Sequence, residues 1–397
     1  MRLHTIIVPD EFGDWEFGLI LVDEGSLYID DKLLMDNSTD QLDGDLFFGN
    51  GTREEKGTIR LEKDKEYHLH IDFNNHNLVF FTIVFTIVRG FQIGRLEEAS
   101  AIGKLVQDAV DLAARSEAVI LTAGLTSDYA EEGFDRAQMR LPPGVDDMIS
   151  RVLKANSNSN VVVKSGVQRE MPWIDQATSG IQAFFGGNDQ GNGLASVLFG
   201  EHNPSSKLPL TFPEQLEDFP SHPFFPGKKG ISFYNEDVFV GYRHFVTRPT
   251  LPVIGSFGFG LSYTTFQLGE ASKPIVDIST TEQTINVAIE IPVTNTGKVA
   301  AGEVVQCYIA APSCPVPRPA YELGGFSKVY LQPGETKMAK ISLDRGAFSY
   351  WETQLGGEGR WSVVDGEYKL LFGTSSTDLP VSSIVEVESG FTWRGIE

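Results

Sequence analysis

Positive charge is scarce in these 397 residues: 32 Lys and Arg stand against 54 Asp and Glu, for a formal net charge of −22. Such a field repels polyphosphate and anionic lipid, and no local basic patch offsets it, so neither nucleic acid nor a membrane surface is an expected partner. Cysteine is nearly absent. Cys307 and Cys314 are too few for a disulfide framework or a zinc cluster; they either close an eight-residue loop or stay two separate thiols. Of seven histidines, His68 and His70 share a strand face, but no third ligand stands at a metal-binding spacing, and neither metal nor cofactor is expected. Long apolar runs are missing too. The start, MRLHTIIVPDEFGDW, has a four-residue near-apolar run before Pro9, short of the roughly 7–15 residues of a secretion signal, so no signal is expected here. The most apolar run, Leu78 to Val88, has 11 residues against the roughly 20 that cross a bilayer as a helix. It repeats FTIV in tandem without a charge until Arg89 and matches no neighbouring module.

What is present is glycine (40), proline (20) and 11% aromatics, a composition suited to a loop-rich protein with much β-structure. At roughly 100–200 residues per domain, the length predicts two or three domains. The first ~75 residues alternate like strands: Trp15, Phe17, Leu19 and Leu21 fall on one face, and Leu27 and Ile29 precede a turn at Asp30-Asp31. From about Gly90, helical spacing over Leu96 to Ser116 alternates with strand Ala118 to Leu125, a helix over Asp146 to Ala155, strands at Val161 to Ser165 and Ile181 to Phe185, and a helix over Asn192 to Phe199. That order predicts a covered, mostly parallel sheet with functional groups on the loops after its strands. Beyond Tyr263, Ile285, Val287, Ile289, Ile291 and Val293 alternate with less apolar residues before Asn295-Thr296-Gly297, predicting a strand that enters a hairpin and an immunoglobulin-like sandwich. The expected fold class is α/β plus all-β, divided as a β domain (1–76), the anomalous apolar segment (77–89), an α/β domain (90–265), a linker (266–282) and a second β domain (283–397).

The densest chemistry lies on TSDYAEEGFDRAQMRLPPG, Thr126 to Gly144, directly after a predicted strand. Asp128, Glu131, Glu132 and Asp135 crowd one loop, and mutual repulsion with partial burial raises the pKa of a carboxyl toward the range of a general acid. A solvated acidic loop, with Asp135 and Arg136 as a local ion pair or cap, is the simpler alternative. Adjacent Phe47 and Phe48 on the loop Asp40 to Thr52 suit either a ligand platform or a plug into the core. The glycine-rich turn Gly186 to Gly193 offers N–H groups to a phosphate but lacks the Lys-Ser/Thr ending of a P-loop, so a tight strand-to-helix turn also accounts for it.

EEGFDRAQMRLP (Glu131–Pro142) resembles the motif with which glycoside hydrolase family 3 β-glucosidases, especially the fungal type, present their acid/base glutamate. The resemblance continues through VVVKSGVQREMPW (Val161–Trp173), AFFGGNDQGNGLASVLFGEHNPSSKLPLTFP (Ala183–Pro213), FYNEDVFVGYRHF (Phe233–Phe245) and FGFGLSYTTF (Phe257–Phe266). The tail, with VTNTG, LQPGET and DRGAFSYW, resembles that family's fibronectin type III-like domain, and the amino-terminal part resembles the later portion of an inserted protective-antigen-like sandwich. The resemblance implies that Glu132 is the acid/base residue, with Glu131, Phe134, Asp135 and Arg136 as its supporting loop, Asp135 and Arg136 binding substrate, and Phe47 and Phe48 reaching the leaving-group side of the sugar.

A retaining glycosidase needs two carboxyl groups about 5–5.5 Å apart. The resemblance implies that the second, a nucleophilic aspartate, comes from a Ser/Thr-Asp-Trp segment on a (β/α)₈ barrel, and no barrel is expected within these residues. Ser127-Asp128-Tyr129 imitates that segment but stands four residues from Glu132 on one loop, and Phe259 stands where relatives commonly have His. The implied activity is hydrolysis of terminal β-D-glucosyl residues, by a portion inactive alone, with a β-glucoside or oligosaccharide as substrate and a barrel supplied in trans or a second copy as partner. A non-catalytic carbohydrate-binding remnant is the alternative. The family implies secretion, with which the sequons at Asn37 and Asn50 are compatible, whereas the lack of an expected signal at this terminus leaves a cytoplasmic location open.

Overall fold

The computed structural model describes residues 2–10, 12–21, 24–39, 52–74, 91–96, 99–125, 129–130, 136, 138–353 and 359–395. The chain forms two compact units, one of Met1–Gly166 with Trp173–Phe184, the other of Val167–Pro172 with Phe185–Glu397.

The first unit begins with two antiparallel sheets. Strands Arg2–Ile7, Tyr67–Asn74, Glu24–Ile29 and Lys32–Asn37 pair in that order, and Glu55–Leu61, Gly13–Leu21 and Phe91–Leu96 make the other sheet. Alternation decides the inside: Phe17, Leu19, Leu21, Leu27, Ile29, Leu69 and Ile71 form one buried cluster, as the period-2 spacing predicts. Asp30 and Asp31 both adopt positive φ (48° and 60°) between Ile29 and Lys32, the two-residue turn whose twist matches that of its strands. His70 is buried against Tyr28, their rings 4.6 Å apart, and His68 stacks on His4 at 5.5 Å. The apolar segment 77–89 lies outside the described residues.

Asn37 corrects an expectation. Its sequon is compatible with glycosylation in sequence, yet the side chain is 1% exposed and its Nδ2 donates to Thr52 Oγ1 at 2.7 Å. That hydroxyl also accepts from the Leu21 N–H, at 3.2 Å. A glycan there is incompatible with this packing. Peptide mapping of folded protein from a glycosylating host is expected to recover Asn37 unmodified; substantial occupancy would contradict the packing.

After helix Ala99–Ala114 come strand Val119–Gly124, helix Val145–Ala155 and strands Ser159–Lys164 and Ser179–Gln182, which form a parallel sheet with Ser159–Lys164 in the middle. Ile149, Val152 and Leu153 are the buried stripe of the second helix, at the i, i+3, i+4 spacing of one face. Asn156, just past that helix, donates to the carbonyls of Ala113 and Ser116 at 3.0 and 2.7 Å, which ties the ends of the two helices together.

In the second unit, helix Gln190–Leu198 follows the glycine-rich turn, and Asp189 at its start holds Asn192 Nδ2 at 2.6 Å. A carboxylate at that position repels a phosphate, so the tight-turn reading fits the geometry. Further on stands a sandwich of three sheets. One pairs Thr284–Asn295 with Phe266–Leu268, Ile275–Ser279 and Thr336–Leu343; the second runs Glu322–Leu331, Ala301–Ala310, Gly366–Gly373, Val381–Val387; the third joins Tyr350–Thr353, Gly359–Val363 and Phe391–Trp393. Ile285, Val287, Ile289, Ile291 and Val293 enter one core with Cys307, Phe348, Tyr368 and Phe372. Cys307 and Cys314 are both free, and burial raises the pKa of the Cys307 thiol, so it is an inert core group.

Two expectations are corrected here. Residues 266–282 are not simply a linker, because Phe266–Leu268 and Ile275–Ser279 are strands that flank Thr284–Asn295. Nor does Asn295-Thr296-Gly297 close a hairpin, since the next strand, Ala301–Ala310, belongs to another sheet. The cause is Asn295, fully buried at this corner. Its Oδ1 accepts from Thr264 Oγ1 (2.7 Å) and Gly297 N (3.1 Å), and its Nδ2 donates to the carbonyls of Val299 (2.8 Å) and Leu331 (3.3 Å). These bonds turn the chain from one sheet toward the other.

Candidate active site

The three parallel strands end side by side, Gly124 opposite Lys164 and Gln182 opposite Val163. The ladder runs one step into each following loop: Leu125 N donates to Lys164 O at 3.0 Å and Ala183 N to Val163 O at 2.8 Å. Gly124 is required by this closeness, because a Cβ there would lie 2.3 Å from Lys164 O. A side chain would part the strands where the acidic loop begins.

The loop returns through a pinned limb. Met139 and Leu141 are buried while Gln138 and Arg140 point to solvent. Gly144, at φ 83°, then caps helix Val145–Ala155, whose Asp146 accepts from the Nε1 of fully buried Trp173 at 2.9 Å. The acidic loop is thereby held by a strand at one end and a packed helix start at the other. Arg136 is half-buried. Its Nη2 donates to the carbonyls of Gln138 and Arg140, each at 3.3 Å, and among the described residues its Nη1 has no hydrogen-bond partner. Burial lowers its pKa from the usual arginine value. A guanidinium held by backbone carbonyls keeps donor capacity for a ligand oxygen.

Of the catalytic and substrate-binding residues that the resemblance implies, Glu132, Asp135, Phe47 and Phe48 lie outside the described residues, as do Asp128, Glu131 and Phe134 of the same acidic loop; Arg136 is the one whose placement is described. Sequence reasoning missed Gln182. At the end of its strand its Nε2 donates to the Ser165 carbonyl (2.9 Å) and Oγ (3.1 Å), leaving Oε1 without a partner among the described residues. Its strand, SGIQ, gives no local signal for it, because the Ser165 partner comes from the end of the neighbouring strand.

A model of the glycosyl hydrolase family 3 C-terminal domain matches residues 38–242, just over half of the chain, and one of the fibronectin type III-like domain matches residues 303–376. The chain belongs to glycosyl hydrolase family 3. Among its relatives in this family, the probable β-glucosidase I of Aspergillus fumigatus is 41% identical over 99% of this chain, and the probable β-glucosidase H of Aspergillus flavus is 39% identical over 98%. The crystal structure of the Kluyveromyces marxianus β-glucosidase in complex with glucose superposes on the whole chain with a TM-score of 0.90 at 36% identity. That of the Bifidobacterium adolescentis family 3 β-glucosidase covers 72% of it with a TM-score of 0.65. The chain spans 47% of the length of the two Aspergillus relatives and 46% of the Kluyveromyces chain, so it corresponds to a carboxyl-terminal portion of such enzymes.

Proposed function

We propose that this chain supplies the acid/base half of a retaining β-glucosidase. Glu132 protonates the leaving oxygen of a terminal β-D-glucoside and then, as its conjugate base, activates the water that releases the sugar. The observation that carries this reading is the anchored loop after Val119–Gly124: its ends are fixed by the strand ladder at Leu125 and by buried Met139, Leu141 and the Asp146–Trp173 bond. A proton donor has to be held within hydrogen-bond reach of its target, and fixing the two ends of a loop narrows what its middle can reach. Arg136 and Asp135 line the same loop as substrate-binding groups, and Phe47 and Phe48 flank the leaving group. The similarity to β-glucosidases, one of them crystallised with glucose, supports the substrate class.

The nucleophile is proposed to come from the half of the relatives that these residues do not match. Asp128 does not serve, because a residue four positions from Glu132 on one loop does not attack the opposite face of the sugar. The proposal extends to location: the working enzyme acts outside the cell. The 397-residue chain alone is expected to turn over 4-nitrophenyl β-D-glucoside negligibly and to gain activity when the complementary half of a relative is added. Substantial turnover by the chain alone, lost on Glu132→Gln, would show that the second carboxyl lies within these residues.

A further inference from the structure

In the second unit, residues 225–241 run from the short helical turn His222–Phe224 to helix Tyr242–Thr247 without helix or strand. Loops beyond roughly 12–15 residues usually carry a function. Both roots of this arm are fixed. Phe225 N donates to Ser221 O at 3.1 Å, and past the far end the Tyr242 hydroxyl accepts from Leu323 N at 2.8 Å while Arg243 ion-pairs with Glu322 at 3.2 Å. The course between them is fixed too. Lys228 N donates to Ile231 O at 3.0 Å and Ile231 N to Lys228 O at 3.1 Å, around Lys229 and Gly230 at positive φ (53° and 74°), and Phe239 N donates to Glu236 O at 2.9 Å. Yet six large apolar side chains of the arm stand in water: Phe225, Ile231, Phe233, Tyr234, Val238 and Val240 are 40–82% exposed, whereas Phe245 and Val246 directly after it are buried.

We propose that this arm is a docking surface for the half of a family 3 β-glucosidase that the chain does not match, gripped through these six side chains; the proposal rests on the reading that such a half completes the enzyme. Apolar residues scattered singly over a surface need no explanation, but a run of them on one ordered arm, three of them aromatic, has the composition of an interface core. Water gives such an arm no reason to hold its course with those groups outward, and a partner that covers them does. The length of the relatives says which partner. The arm lies within residues 38–242, matched by the family 3 C-terminal domain, and the chain spans 47% of the Aspergillus fumigatus relative, whose remaining half has no counterpart here. A second copy of this chain is the poorer occupant, because each copy carries a net charge of −22 and the two repel.

The test co-expresses the whole 397-residue chain with the complementary half of the Aspergillus fumigatus relative and reads the Kd of the complex and its hydrogen-exchange protection. We expect protection over residues 225–240, and a Kd raised about tenfold or more by Tyr234→Ser and by Ile231→Ser, as for buried interface anchors. Ile275→Ser and Ile384→Ser, which remove exposed apolar side chains from the carboxyl-terminal sandwich, are expected to leave it unchanged. Should the separate half not fold, the intact relative serves instead: exchange across its segment aligned with 225–240, corrected for intrinsic rates, is expected to be at least tenfold slower than in this chain. The proposal fails if folded halves do not associate, if protection lies elsewhere, if the arm variants bind as the parent does, if the intact relative exchanges there as fast as this chain, or if the chain alone forms a dimer that Tyr234→Ser dissociates. Gain of turnover with protection elsewhere would sink this inference alone; association through the arm without turnover would sink the catalytic reading alone.

Discussion

Glu132→Gln is expected to lower hydrolysis of 4-nitrophenyl β-D-glucoside by the reconstituted protein about 10²- to 10⁴-fold, the range that a positioned acid or base contributes. On the proposed assignment one side chain serves both steps, protonating the departing oxygen as acid and drawing a proton from water as base during release of the glucosyl-enzyme. The two roles are separable by leaving group. A dinitrophenolate departs without protonation, so the first step survives in the glutamine variant, a burst of dinitrophenol appears, and steady turnover stays slow. Azide needs no base, so adding it restores turnover and yields β-glucosyl azide. The pH profile changes with a definite sign. The acid must be protonated, so kcat/KM falls as pH rises through its pKa, and in Glu132→Gln that alkaline fall is absent. A variant with the parent's rate, pH limb and azide response would remove Glu132 from the mechanism.

Asn295→Ala is expected to destabilise the carboxyl-terminal sandwich by about 3 kcal/mol, because unsatisfied buried polar groups cost roughly 1–3 kcal/mol each, reduced where one turns to another partner. Thr264 Oγ1, Gly297 N and the carbonyls of Val299 and Leu331 would all lose the fully buried Asn295 side chain as a partner. Urea denaturation followed by tryptophan fluorescence reads the effect as a lower midpoint. Asn295→Asp is a sharper probe. A buried carboxylate facing two carbonyls has its pKa raised in the folded state. The variant is therefore most stable below the unfolded-state value of about 3.9, and loses stability as pH rises through the folded value. Wild-type stability in Asn295→Ala would mean that the corner is held by the strands alone.

Much of the fold was legible because it rests on period. The two-fold alternation in Gly13–Leu21 and Thr284–Asn295 and the helical stripe of Ile149, Val152 and Leu153 are statements about one residue and its near neighbours, and burial followed them. The corrections arose where the deciding partner was distant in sequence. Asn295-Thr296-Gly297 looks like a hairpin turn until Thr264 and Leu331 claim its side chain. The short strands of 266–282 carry too little alternation to announce themselves, and pairing with Thr284–Asn295 makes them strands.

For the site, the chain order alone determined the family and the placement of an acidic loop beyond a parallel strand, since motif spacing and apolar rhythm are local properties. Tertiary structure decided what those groups touch. It turned Asn37 from a sequon into a core hydrogen-bond donor, brought Gln182 beside Ser165, and left an Arg136 nitrogen without a partner among the described residues. It also drew Arg2, Asp72, Ser26 and Asp36, from four strands, into one row. Register between strands depends on the whole set of buried contacts, and no single segment encodes it.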